Sequence, residues 1–179
     1  FIPIGVIGLA NLLRERGILV RGVNLALEKM LDEEFELRDW LSQWSGVHLV
    51  MIDLHWYEHS YGAIDVARVC REVLPQAWIV LGGFTTSAFS QEILNSSPEV
   101  DFIIRGDAER PLLELAKRLL RGDLRSPRQL SRFSDIPNLS YRIGAESVEN
   151  ERSFCATSAE LDELDFVDID FLEHYKEYY

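Results

Sequence analysis

Three short stretches hold the residues able to do chemistry. The first, residues 53–62, places Asp53, His55, Trp56, Tyr57, Glu58, His59, Ser60, Tyr61 and Gly62 within ten positions. A plain connecting loop favours Gly, Pro, Asn and Ser instead. Clustered aromatic rings suit the walls of a large flat ligand, or else fill a surface groove. His55 and His59 have metal-binding side chains. The two cysteines, Cys70 and Cys155, lie far apart and complete no zinc or iron–sulfur ligand set. A freestanding zinc centre is therefore not expected.

The second stretch is Leu81-Gly82-Gly83-Phe84-Thr85-Thr86-Ser87. Paired glycines at a strand end let a ligand come close to the backbone. Thr85, Thr86 and Ser87 carry hydroxyls that bind a polar group or cap a following helix, whose N-terminus favours an anion. Neither Gly-x-Gly-x-x-Gly nor a Gly-Lys-Ser phosphate loop occurs. The third stretch is Arg105-Gly106-Asp107-Ala108-Glu109. Here Gly106 allows a tight turn. Arg105 either pairs with Asp107 or Glu109, or helps the loop close a pocket.

The elements around these stretches alternate. Apolar spacing predicts helices over 7–16, 35–44, 63–74, 87–94 and 112–121. Strands are expected over 19–23, 47–52, 78–81 and 102–104. The run Val47-His48-Leu49-Val50-Met51-Ile52 reads as a strand buried on both faces, hence part of a parallel sheet. Such alternation means an α/β fold, a three-layer Rossmann-like or flavodoxin-like parallel sheet with right-handed crossovers. Each candidate stretch follows a strand and precedes a helix. All three should therefore meet at the carboxyl rim of the sheet, where open α/β folds bind ligands at a switch point. Residues 1–125 form this domain. Residues 126–179 add a hairpin around Ile143-Gly144-Ala145-Glu146 and an acidic linker over 160–170. That linker reads either as a tail crossing to a neighbouring domain or as a mobile terminus.

Composition narrows the partners. The 179 residues carry a net charge of −12 and 47% hydrophobic residues. Such acidity disfavours nucleic acid. No apolar run reaches the roughly 18–20 residues of a membrane span. No signal peptide is legible, and the sparse cysteines fit a reducing, cytoplasmic setting. The chain opens in mid-pattern without Met, as if upstream material were missing.

Taken in order, these stretches resemble the cobalamin-binding domain that precedes radical-SAM catalytic domains. The similarity rests on Pro3-Ile4-Gly5, Gly8-Leu9-Ala10, Leu13-Arg14-Glu15-Arg16-Gly17, Val80-Leu81-Gly82-Gly83 and the run from Pro98 to Glu109. It continues through Ile136-Pro137-Asn138-Leu139-Ser140-Tyr141-Arg142 and Leu161-Asp162-Glu163-Leu164. Residues 82–87 also look like the segment lining the nucleotide-tail pocket of cobalamin-dependent methionine synthase. The resemblance implies that cobalamin's tail enters beside Gly82 and Gly83. Its corrin ring would then lie against residues 55–62, with Phe84, Thr85, Thr86, Ser87, Arg105, Gly106 and Asp107 completing the site.

Two departures qualify this expectation. The cobalt-ligating Asp-x-His-x-x-Gly pattern is only begun by Asp53-Leu54-His55, because Glu58 stands where Gly belongs. It also follows the wrong strand. His55 is thus a candidate corrin contact and only a low-ranking cobalt ligand. Its other ring nitrogen would need Asp53 or Glu58 to hold it. The family's first strand is also absent, as is the Cys-x-x-x-Cys-x-x-Cys run. By resemblance, the 4Fe–4S cluster and S-adenosylmethionine belong to a radical-SAM domain of the same polypeptide. This chain alone is then not catalytic. The alternative is the same fold without cobalamin, acting as a substrate-binding or docking domain, with Trp56 or Tyr57 plugging the pocket. A phosphorylation-regulated receiver domain would use Asp53 and Asp107 but lacks the lysine that chemistry needs.

Overall fold

The computed structural model describes residues 3–121, 131–144 and 146–178. The chain divides into two compact units. One comprises Phe1–Asp39 with Ala156–Tyr179, and the other Trp40–Cys155. The domain boundary expected near residue 125 lies outside the described residues.

The second unit holds a five-stranded sheet in the order β1-β2-β3-β4-β5. Strands β1 (Leu49–Asp53), β2 (Trp78–Gly82) and β3 (Phe102–Ile104) run parallel. The expected hairpin forms as β4 (Leu139–Ile143) and β5 (Glu146–Glu149). It joins the same sheet antiparallel to β3. The α/β class therefore holds, with a mixed sheet rather than a wholly parallel one. All of β2 except Gly82, and all of β3, are buried. Trp78, Phe102, Phe133 and Tyr141 form a chain of ring contacts in the core, with centroids 5.1–6.5 Å apart. At the strand starts, Asp101 accepts hydrogen bonds from the Ile79 amide (2.8 Å) and from Arg71 (2.6 Å).

β1 departs from expectation. Its apolar residues are only half-buried, because it is the terminal strand of the described sheet and has β2 as its one neighbour. A continuous apolar run specifies a buried strand only where both sides are covered. The helix expected over 87–94 is instead two short helices, α5 (Phe84–Ala88) and α6 (Ser90–Ser96). Phe89 breaks the run with φ −122° and ψ 33°. Helices α4 (Ser60–Val73) and α7 (Glu109–Leu119) match their predicted cores.

The first unit begins with α1 (Ile4–Glu15). Gly17 ends it at φ 77°, with its amide bonded to the Arg14 carbonyl and that of Ile18 to the Leu13 carbonyl. This is the paired-bond helix stop that a left-handed residue permits. The strand expected over 19–23 contributes only a single bridge, between Gly22 and Leu172. A β-carbon on Gly22 would meet Leu172 and Phe171 at 2.8–3.0 Å, so this contact depends on glycine. Helix α2 (Leu25–Leu31) was not legible from apolar spacing, because its buried face carries Glu28. It starts where the Asn24 side chain accepts from the Ala26 and Leu27 amides.

The acidic segment does not trail away. Asn11 donates to the carbonyls of Asp165 and Asp168 at 2.9 and 2.8 Å. Arg14 pairs with Asp168 and Asp170. Phe166 packs over the bare α-carbon of Gly8. Residues 165–172 thereby fold back on α1 within this unit. The other helices are α3 (Leu37–Ser42), shorter than expected, and α8 (Ser158–Asp162), opened by a Thr157–Glu160 capping box.

Candidate functional site

The three stretches do meet at the carboxyl ends of β1, β2 and β3. The Leu54 amide donates to the Gly82 carbonyl at 2.8 Å. Thr85 Oγ1 donates to the His55 carbonyl at 3.1 Å, tying the second stretch to the first. The Gly106 amide donates to Ser87 Oγ at 2.9 Å, tying the third to the second. The described strands run in simple sequential order, so no switch point falls among them.

Much of what reads as loop is helix. Tyr57–His59 form a 3-10 turn, and Ser60, Tyr61 and Gly62 open α4. Ser60 Oγ donates to the Tyr57 carbonyl at 2.6 Å. Phe84, Thr85, Thr86 and Ser87 belong to α5. The hydroxyls of Thr86 and Ser87 both donate to the Gly83 carbonyl, at 2.9 and 2.8 Å. Their hydrogens, like that of Thr85, go to the backbone; Thr85 and Thr86 are buried, and of the three Ser87 alone is half-exposed. With five residues, α5 is too short for a helix dipole to attract an anion.

The glycine pair has two distinct roles. Gly83 adopts φ 115°, and a β-carbon there would stand 2.5 Å from the Leu54 carbonyl oxygen. Its missing side chain admits the protein's own backbone, not a ligand. Gly82 has nothing within 4 Å of the corresponding point. The open approach expected of the pair is present at Gly82 alone.

The aromatic residues stand outward. Trp56, Tyr57 and Phe84 are 56%, 66% and 69% exposed. The His55 ring lies 4.4 Å from Phe84 and 4.9 Å from Trp56. Tyr57 lies 6.0 Å from Phe89, a partly exposed residue missed in the sequence because it sits inside an expected helix. Burial raises the Asp53 carboxyl above its usual range, and His55 and His59 draw it partly back. No hydrogen bond joins the His55 ring to Asp53 or Glu58, so the support a ligating histidine needs is not made among the described residues. His59 and Glu58 are exposed, and no group of three metal-binding side chains assembles among the described residues.

Arg105 turns inward. It bonds the Asn150 carbonyl and approaches Glu149 at 3.6 Å, rather than pairing with Asp107 or Glu109. Burial pushes the Glu149 carboxyl up, but hydrogen bonds from Ser90, Gln91 and Ser140 and the charge of Arg105 leave it below its usual range. Asn138 Nδ2 donates to the Asp107 and Phe154 carbonyls, bracing the third stretch from below. The Cys155 thiol bonds to Asp107, which raises its pKa. Two open clefts, of about 280 and 490 Å³, are lined by first-unit residues and include none of the candidate residues.

No helix among the described residues is long and apolar enough to cross a membrane. No protein-family model matches the chain. The anaerobic magnesium-protoporphyrin IX monomethyl ester cyclase of Cereibacter sphaeroides is 27% identical over 111 residues, 62% of this chain and 16% of that protein. The hopanoid C-3 methylase of Methylococcus capsulatus is 26% identical over 120 residues, 66% of this chain and 22% of that one. The chain thus spans about a fifth of the length of the curated relatives it matches. In fold it is similar to OxsB, a cobalamin-dependent S-adenosylmethionine radical enzyme solved with aqua-cobalamin and S-adenosylmethionine bound. That match has a TM-score of 0.52 and 14% identity, and covers 86% of this chain and 20% of the enzyme. Sequence and fold together bear out the resemblance carried by the ordered stretches, to the cobalamin-binding domain of radical-SAM enzymes.

Proposed function

We propose that this chain is a cobalamin-binding α/β module that serves a radical-SAM domain of the same polypeptide. The observation that carries this reading is the rim itself. Outward-facing aromatic rings stand beside an unobstructed Gly82, at the strand ends where α/β folds take ligands. Exposed apolar clusters of this kind mark binding sites. The site residues assigned to cobalamin are His55, Trp56, Tyr57 and Phe84 for the corrin and Gly82 for the tail. Half-exposed Ser87 offers its remaining lone pair to an amide donor, and buried Thr85 ties the second stretch to the first. Gly83, Thr86, Ser60 and Arg105 act by holding these elements in place.

Bound cobalamin supplies a cobalt ion able to carry a methyl group. The chain's own residues bind and orient the cofactor and leave one face for the catalytic domain. The iron–sulfur cluster and S-adenosylmethionine belong to that domain. The relatives named as a cyclase and a methylase make ring formation and methyl transfer the two reaction classes to consider for the whole protein. The alternative of a rim plugged by its own aromatics is disfavoured, because Trp56 and Tyr57 point to solvent.

The test is to incubate the chain with hydroxocobalamin and follow the visible spectrum through gel filtration. The chromophore is expected to co-elute with the protein. Gly82→Val should melt as the native chain does yet elute without colour. If the native chain elutes colourless, the cofactor reading fails.

A further inference from the structure

We infer that Arg152 is the anion contact of this rim, and that its guanidinium receives the phosphodiester in cobalamin's nucleotide tail. The inference rests on the cobalamin reading and deepens it. Arg152 lies some 45 residues beyond the third stretch, after the hairpin, so sequence order gives no reason to associate the two. The structure does. Gly106 leaves β3 with φ 75°, and the Arg152 guanidinium lies against its bare α-carbon. The Nη2, Nε and Cζ atoms stand 2.8, 2.9 and 3.2 Å from where a β-carbon would be.

The backbone that carries Arg152 is pinned on both sides. The Asn138 amide donates to the Glu151 carbonyl at 3.0 Å, and the Phe154 amide to Asn138 Oδ1 at 3.1 Å. Two of the neighbouring charged groups have partners of their own. Arg105 is held by Asn150 and Glu149, and Asp107 by Cys155. Arg152 itself is exposed and makes no hydrogen bond or ion pair among the described residues.

Ligand chemistry supplies the counterpart. The corrin's side chains are neutral amides, and the phosphodiester of the nucleotide tail is the cofactor's anion. A guanidinium fork matches phosphate oxygens in shape as well as charge. On a chain of net charge −12, a cation on the rim offsets the repulsion that an anion would otherwise meet. The strand order β1-β2-β3 sets the aromatic stretch and the Gly106 turn on either side of Gly82, roughly 10 Å apart at ordinary strand spacing. A ligand laid across the rim would meet rings at one side, the open glycine between, and Arg152 at the other.

The experiment compares hydroxocobalamin with cobinamide, which lacks the nucleotide and its phosphate. Both are titrated into the native chain, Arg152→Gln and Arg152→Lys. Arg152→Gln is expected to weaken cobalamin binding about 3- to 10-fold, the effect of one lost charge-assisted hydrogen bond at an exposed site. Cobinamide binding should not change. Cobalamin binding should also lose part of its salt sensitivity in Arg152→Gln and keep it in Arg152→Lys. Equal losses for both ligands, or no loss for either, would overturn the assignment and leave the cofactor reading standing. A native chain that binds neither ligand removes the cofactor reading, and this assignment with it.

Discussion

The α-carbon of Gly83 faces the carbonyl oxygen of Leu54 so closely that a β-carbon would lie 2.5 Å from it. Leu54 is fully buried and donates its amide to Gly82. The exits of β1 and β2 are therefore locked to one another at the base of the candidate site. Gly83→Ala meets both this clash and a left-handed φ. It should destabilise the fold by about 2–4 kcal/mol, read as a lowered urea midpoint. Gly82→Ala, facing open space, should leave that midpoint nearly unchanged. Equal effects at the two positions would show that the glycines do not divide their roles.

Trp56 and Phe84 flank the His55 ring from outside. Because both are exposed, Trp56→Ala and Phe84→Ala should alter stability by no more than about 0.5 kcal/mol. Each should weaken hydroxocobalamin binding by roughly fivefold or more, the scale of an aromatic contact. His55→Ala should weaken binding without changing the bound cofactor's visible spectrum. A spectral shift would instead mark His55 as a cobalt ligand.

His174 Nδ1 sits 2.8 Å from Oε2 of Glu28, a carboxylate with 2% of its side-chain surface exposed. The hydrogen bond to Glu28 raises the His174 pKa, burial opposes it, and the charges of Glu28, Glu173 and Glu177 add to the rise. A raised folded-state pKa stabilises the protein fully below the unfolded value near 6.5. That contribution is lost as pH rises through the folded pKa. The first unit should therefore be more stable at pH 6 than at pH 8.5. Amide exchange at Glu173, which bonds the Gly22 carbonyl, reports it after correction for intrinsic rates. His174→Gln should flatten the dependence, and an unchanged profile in that variant would refute the assignment.

Glu149 has a depressed pKa and therefore stabilises above the ordinary carboxylate range. Its contribution is lost as pH falls through its folded value. Ser90→Ala removes one of its donors and should cost about 1–2 kcal/mol at neutral pH. The penalty should shrink in acid. Urea titrations of the native and variant chains at pH 7 and pH 3.5 check this.

The two thiols should differ in reactivity. Burial pushes Cys70 up to about 11, whereas Cys155 is exposed and raised mainly by its bond to Asp107. Alkylation of the folded chain should modify Cys155 alone. Asp107→Asn should speed that reaction, because it removes the carboxylate that disfavours the thiolate. A slower reaction in Asp107→Asn would contradict the pairing.

By itself the sequence determined the alternation of strands and helices, the hairpin, and the three stretches at strand ends. Each is written in local periodicity and turn chemistry, which neighbours in the chain decide. It also carried the likeness to cobalamin-binding domains, which rests on the order of many short segments. Only the tertiary structure decided what those segments touch. It divided Gly82 from Gly83, turned Arg105 toward Glu149, folded the acidic segment onto α1 through Asn11, and brought Arg152 to Gly106. It also left β1 at the edge of the described sheet and reduced residues 19–23 to one bridge. The reason in each case is long-range pairing. A residue's apolar or polar character says whether it seeks a partner, but not which partner the fold will set beside it.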